Sequence, residues 1–123
     1  QGKLEGLNAV QLREHYGPLL KEWFLNPGAL VMPDGESLEQ VQTRAWEAVI
    51  QIASTDNTGE VAVVSHNLTI LTILCRVLGL PLQYFRRLKQ DVAAINTLEF
   101  SANGPVIISL NDTCHLATLA DND

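Results

Sequence analysis

The chain has 123 residues, 46% hydrophobic and 18% charged, the size and balance of one ordinary globular domain rather than a disordered segment. No apolar run nears the roughly 20 residues of a membrane span, and no basic-then-apolar leader opens the chain. The formal charge of −6 offers no net attraction to nucleic acid, and two cysteines, Cys75 and Cys114, are too few for a disulfide scaffold or a four-ligand zinc site. The expectation is a soluble, cytoplasmic protein that binds neither nucleic acid nor membrane and holds no metal. Gln1-Gly2-Lys3 lacks a Met and runs straight into patterned sequence, which reads as a piece of something longer.

Residues 8–25 read as helix, opened by Asn8 with Gln11 three positions on, a capping-box spacing. Gly17-Pro18 interrupts it, because proline removes a donor and disfavours helix at the residue before it; two short helices with a bend are predicted. Asn26-Pro27-Gly28 ends them, and residues 28–35 form a loop closed by Pro33-Asp34-Gly35. A second helix starts at Ser37, again with a glutamine three residues later. It carries Leu38, Val41, Ala45, Ala48, Val49 and Ile52 at helical spacing to about Ser54. A polar turn over 55–59 follows. Val61-Ala62-Val63-Val64 is β-branched and does not alternate, the pattern of a strand buried on both faces in a parallel sheet.

Ser65-His66-Asn67 closes that run, and residues 68–78 read as an apolar helix stopped by Gly79. A short helical turn runs from Pro81 to about Leu88. Residues 94–100 and 106–110 are predicted strands joined by hairpin-turn chemistry at Ser101-Ala102-Asn103-Gly104. The order of helices, strand, helix, strand and strand predicts an α/β layer sandwich with an antiparallel edge hairpin.

One residue stands out by position. His66 lies where the predicted strand gives way to a helix, and open α/β sheets bind ligands beyond the carboxyl ends of their strands. The following helix would aim its free N–H groups and positive dipole end at the same place, which suits phosphate or another anion. Asn67 suits a tight strand–helix turn because it tolerates positive φ. The plain alternative is a hydrogen-bonded histidine at the edge of a core, and position alone does not decide.

The other candidates read as structural. His15, beside Arg13 and Glu14, belongs to a helix surface. His115 and Cys114 have no second pair at metal-ligand spacing. Arg86-Arg87-Leu88-Lys89 reads as a solvated helix face, with attraction for an anionic substrate as the alternative. Glu36 and Ser37 belong to a helix start, and Glu5 in Leu4-Glu5-Gly6 has no nameable partner. No Gly-x-Ser-x-Gly elbow or glycine-rich phosphate loop is present.

Taken together, several segments resemble the histidine phosphatase superfamily, the phosphoglycerate mutase-like fold. Gly2-Lys3-Leu4-Glu5-Gly6-Leu7 is similar to its Gly-x-Trp-Glu-Gly-Leu segment, with Leu4 in the Trp place. Trp23, Asn26-Pro27 and Asp34-Gly35-Glu36-Ser37-Leu38, with Val41 and Arg44, resemble its next stretch. Val63-Val64-Ser65-His66-Asn67 resembles its second-histidine segment, where glycine more often follows the histidine. Leu78-Gly79-Leu80-Pro81 and Ile95-Asn96-Thr97-Leu98-Glu99-Phe100 resemble its last segments.

The resemblance covers nearly the whole chain but begins partway through the family domain. It implies a three-layer α/β/α sandwich with a mostly parallel sheet and an antiparallel edge hairpin, of which residues 1–123 are the C-terminal portion. The family's Arg-His-Gly, whose histidine takes the phosphoryl group, does not occur here. The implied parent is a phosphatase-type member, such as an α-ribazole phosphatase, acting on a small phosphorylated substrate without a cofactor. His66 would then be the catalytic residue retained, and Asn67 the substrate-binding one through its backbone N–H. These residues alone are expected to be inactive, and the apolar run at 61–64, lacking a neighbour strand, is expected to drive a homodimer or strand-exchanged assembly. The rival expectation is a non-catalytic α/β binding or assembly module in which His66 is structural.

Overall fold

A computed structural model describes residues 2–28, 30–55 and 59–120; residues 56–58 of the predicted polar turn and Ala29 of the 28–35 loop lie outside the described residues. Helix α1 (Ala9–Leu25) opens with the predicted capping box. The Asn8 side chain accepts from the Gln11 N–H at 2.9 Å, and the Gln11 side chain accepts from the Asn8 N–H at 3.1 Å. The predicted bend falls at Tyr16, whose φ of −132° and ψ of 25° leave the helical region. Pro18 has no N–H to donate and its ring crowds the carbonyl four residues back, so the break just precedes it.

Helix α2 (Leu38–Thr55) has the same start, with bonds of 3.1 and 2.9 Å between Ser37 and Gln40. Helix α3 (Asn67–Leu78) ends at Gly79, whose φ of 66° is the left-handed cap that glycine adopts without strain. A 3₁₀ segment (Leu82–Arg87) follows. Strands β1 (Ile95–Ser101) and β2 (Gly104–Asp112) then form an antiparallel hairpin, with Leu98 opposite Ile107 and Phe100 opposite Pro105. A 3₁₀ turn (Cys114–Leu116) and the short helix α4 (Ala117–Ala120) complete the described chain.

The core sits where α2, α3 and the 3₁₀ segment meet. Leu38, Leu71, Cys75, Leu82 and Phe85 are buried there, and Trp23, Leu80 and Leu88 pack against them. The hairpin meets α2 through its inner face, where Phe100 and Trp46 have ring centroids 6.2 Å apart. A short bridge between Val31 and Ser37 closes the loop before α2.

One expectation needs correction. The run 61–64 joins no ladder, and β1 and β2 form the only sheet among the described residues. Val61, Val63 and Val64 are 52%, 55% and 95% exposed, so the run is uncovered instead of buried on both faces. β-branched residues favour extended backbone, but a strand needs a neighbour to accept its N–H groups, and no described segment lies alongside.

Candidate functional site

His66 is the N-cap of α3. Its backbone is extended (φ −115°, ψ 158°), and its carbonyl accepts the first helical bond, from the Ile70 N–H at 2.9 Å. The imidazole makes no capping bond to the helix and is exposed. The N–H groups of the first turn therefore have no carbonyl four residues back and no cap from His66, which leaves the helix start open toward an anion.

Asn67 is helical. Its φ is not positive, so the expected left-handed turn is absent; the extended backbone of His66 already turns the chain into the helix. Its side-chain amide instead donates to the Gln90 carbonyl at 2.9 Å. Its backbone N–H belongs to the first turn of α3.

Behind Asn67 lies an amide network that pattern reading missed. The Gln90 side chain accepts from Asn96 at 2.9 Å, and the Asn96 side chain accepts from the Asn111 N–H at 2.9 Å. The Asn111 side chain accepts from the Asp91 N–H at 2.8 Å and donates to the Asp91 carboxylate at 3.0 Å. Four amide- and acid-bearing residues gathered at the hairpin's open end were the available signal, but their pairing is long-range.

Among the described residues, none of the remaining candidates is hydrogen-bonded or ion-paired to His66. His15 and His115 are exposed, on α1 and in the C-terminal 3₁₀ turn. Arg86, Arg87 and Lys89 are exposed, as a solvated face requires, and the Arg86 guanidinium also lies 4.6, 5.0 and 5.9 Å from the rings of Phe85, Phe24 and Trp23. Arg87 sits 4.1 Å over Tyr84, and Lys89 pairs with Asp91 at 3.5 Å. Arg86 thereby links the 3₁₀ segment to the end of α1 by cation–π contact. Glu36 binds Arg44 at 2.7 Å, and that hydrogen bond holds its carboxyl below the usual carboxylate range. Glu5 is exposed, with its N–H bonded to the Gly2 carbonyl.

Two surface grooves, of about 580 and 550 Å³, flank α2, and neither is lined by His66 or Asn67. The second is lined by Glu36, Glu39 and Glu47 with one arginine already paired, an environment that repels phosphate. Among the described residues no group of three or more His, Cys, Asp or Glu is placed to hold a metal ion, and no helix is long and apolar enough to cross a membrane.

The model of the histidine phosphatase superfamily (branch 1) matches residues 1–113. The chain belongs to that superfamily. It is 28% identical over 115 residues to phosphoserine phosphatase 1 of Hydrogenobacter thermophilus, covering 94% of this chain and 54% of that protein. It is 29% identical over 100 residues to the 2-carboxy-D-arabinitol-1-phosphatase of Triticum aestivum, covering 79% and 19%.

Among solved structures, YhfR of Bacillus stearothermophilus superposes with a TM-score of 0.88 at 21% identity, over 94% of this chain and 57% of that one. A mutant phosphoserine phosphatase from Entamoeba histolytica, in complex with phosphoserine, superposes with a TM-score of 0.70 at 23% identity, over 86% and 55%. The fold is therefore the phosphoglycerate mutase-like one, in part: the chain spans about half the length of the phosphoserine phosphatase relative and of both structures.

Proposed function

We propose that this chain is the C-terminal portion of a phosphomonoester hydrolase that works through a phosphohistidine, and that it does not turn over substrate alone. The observation that carries the reading is the family match across residues 1–113, which spans an exposed histidine at an uncapped helix start. The named phosphatase activities of the relatives support a phosphoserine-like or sugar-acid phosphate as the first substrate class to try.

In the proposed reaction a histidine outside these residues attacks phosphorus and forms a P–N bond, the P–O bond to the substrate alcohol breaks, and the leaving oxygen takes its proton from an acidic group that also lies outside these residues. Water then attacks the phosphohistidine and releases inorganic phosphate. The chain's own part is electrostatic. The His66 imidazole donates to a non-bridging phosphoryl oxygen, and the N–H groups that begin α3 point at the same group. Donors fixed in place before the reaction stabilise the charge that moves onto those oxygens in the transition state. The bond from Asn67 to Gln90 holds the helix start in position.

Two measurements test this. Incubated with p-nitrophenyl phosphate and with phosphoserine, the 123-residue chain is expected to release no product above buffer. Sustained turnover abolished by His66→Ala would refute the claim that the nucleophile lies elsewhere. Titrated with inorganic phosphate, the backbone amides of Asn67 and Leu68 are expected to shift in NMR spectra, and less so in His66→Ala. Unmoved amides would sink the site reading and leave the binding-module alternative.

A further inference from the structure

Beside the start of α3, one peptide unit is gripped at both ends. The peptide joining Gln90 to Asp91 offers its carbonyl to the Asn67 side-chain amide at 2.9 Å and its N–H to the Asn111 side-chain oxygen at 2.8 Å. This peptide is trans and planar, so its C=O and N–H point in opposite directions. Whatever fixes the N–H therefore fixes the carbonyl, and with it the acceptor on which Asn67 depends. Hydrogen bonds at the two ends of one amide also polarise each other.

Asn111 is itself fixed. Its side chain also donates to the Asp91 carboxylate at 3.0 Å, so it binds residue 91 twice and is not free to rotate. Its backbone N–H donates to Asn96 at 2.9 Å, and Asn96 donates to the Gln90 side chain at 2.9 Å. Its φ of 49° belongs to the bulge that β2 makes opposite Asn96, and bulges re-aim side chains. Gln90, Asp91, Asn96 and Asn111 are all half-buried, so water competes less for these bonds than at the open surface.

We infer that Asn111 is a positioning residue for the phosphate site. Through the Gln90–Asp91 peptide it holds Asn67, and so the first N–H groups of α3 and the adjoining His66, in the orientation that meets a phosphoryl oxygen. The inference rests on the phosphate site proposed above. It adds that the end of β2 sets the affinity of a helix start that belongs to another part of the chain.

Phosphate titration of the 123-residue chain, followed through the Asn67 and Leu68 amides in NMR spectra, tests it. Asn111→Gly accepts the left-handed backbone without strain and removes both side-chain bonds. Its phosphate affinity is expected to fall about fivefold, the change that one lost neutral hydrogen bond brings. Asn67→Ala is expected to fall as far, and the double variant no further, because both cut the same relay. Asn111→Asp alone sets two carboxylates against each other and is expected to bind as weakly as Asn111→Gly. Combined with Asp91→Asn, it reverses donor and acceptor at unchanged net charge, and this exchanged pair is expected to bind like the wild type. A general loss of stability would not produce that rescue.

Wild-type affinity in Asn111→Gly, or losses that add in the double variant, would overturn the inference and leave the site standing. A wild type whose amides ignore phosphate would overturn the site reading and this inference with it. Should Asn111→Gly lose its fold, the exchanged pair decides, and weaker binding there than in the wild type would reject the relay.

Discussion

The side-chain amide of Asn67 donates to the carbonyl of Gln90 at 2.9 Å, tying the first residue of α3 to the loop that enters the hairpin. The tie continues through Asn96 to Asn111, which has a φ of 49° at the irregular end of the ladder. The register slips opposite Ile95–Thr97, where β2 carries an extra residue between Ser109 and Asp112, and the bulge bends that strand and frees polar groups to turn back toward the loop. Asparagine suits Asn111 twice over, because it accepts left-handed backbone and its side chain bonds both the Asp91 N–H and the Asp91 carboxylate.

Two substitutions at Asn111 separate those roles. Asn111→Ala loses both side-chain bonds and forces alanine into left-handed backbone, a cost of about 2–3 kcal/mol. Asn111→Gly loses the bonds alone and is expected to be less damaging by about 1 kcal/mol. Urea unfolding followed by circular dichroism measures both. Equal losses would show that the backbone conformation carries no strain.

Local signals were legible in the sequence wherever the physics is local. Both capping boxes, the Pro18 break, the Gly79 stop and the Ser101–Gly104 turn are written in residues a few positions apart, and each appears in the structure. The run at 61–64 failed because its valines report a preference for extended backbone, whereas burial depends on what lies alongside. The aromatic stacking of Arg86 and the amide network around Asn96 join residues far apart in the chain, which periodicity does not see. At the candidate site, sequence located His66 at a helix start, while the Gln90 contact of Asn67 needed coordinates.

Acid should weaken the start of α2 through Glu36. Its carboxyl is held below the ordinary value of 4.5, first by the hydrogen bond from Arg44. A depressed carboxyl contributes stability that is present above its unfolded value and lost as pH falls through the folded one. Thermal melts of wild type are therefore expected to fall between neutral pH and pH values below 4.5, and Glu36→Gln should flatten that drop while starting from a lower neutral melting temperature. The pair is exposed, so added salt should shrink the difference. Identical acid slopes in both proteins would contradict the assignment.

Gly2 adopts a φ of 60°, and a side-chain carbon there would overlap the Pro33 carbonyl and the Gly35 N–H. Glycine lets the N-terminal turn close onto the loop before α2, where the Lys3 N–H bonds the Pro33 carbonyl at 2.7 Å and its ammonium meets Asp34 at 3.2 Å. Gly2→Ala is expected to release this turn, at a cost of about 1–2 kcal/mol for the local docking. Trypsin should then cut after Lys3 several-fold faster than in wild type. An unchanged cleavage rate would show that the turn is already open.

The two thiols give a chemical readout of opening. Cys75 is fully buried, and burial pushes its thiol above the ordinary value, so the reactive thiolate is both scarce and unreachable in the native state. Cys114 is exposed, but its hydrogen bond with Asp112 also raises its thiol. With an aromatic disulfide reagent at mildly alkaline pH, Cys114 should label first, more slowly than a free thiol. Asp112→Asn should speed that step, because the acceptor charge that opposes the thiolate is removed. Cys75 should label only at the rate at which α3 leaves the core, and Leu71→Ala, which costs about 2–5 kcal/mol at such a site, should raise that rate by at least tenfold. Labelling of both thiols at one fast rate would mean that the small core around Leu38, Leu71 and Phe85 does not hold α3 closed.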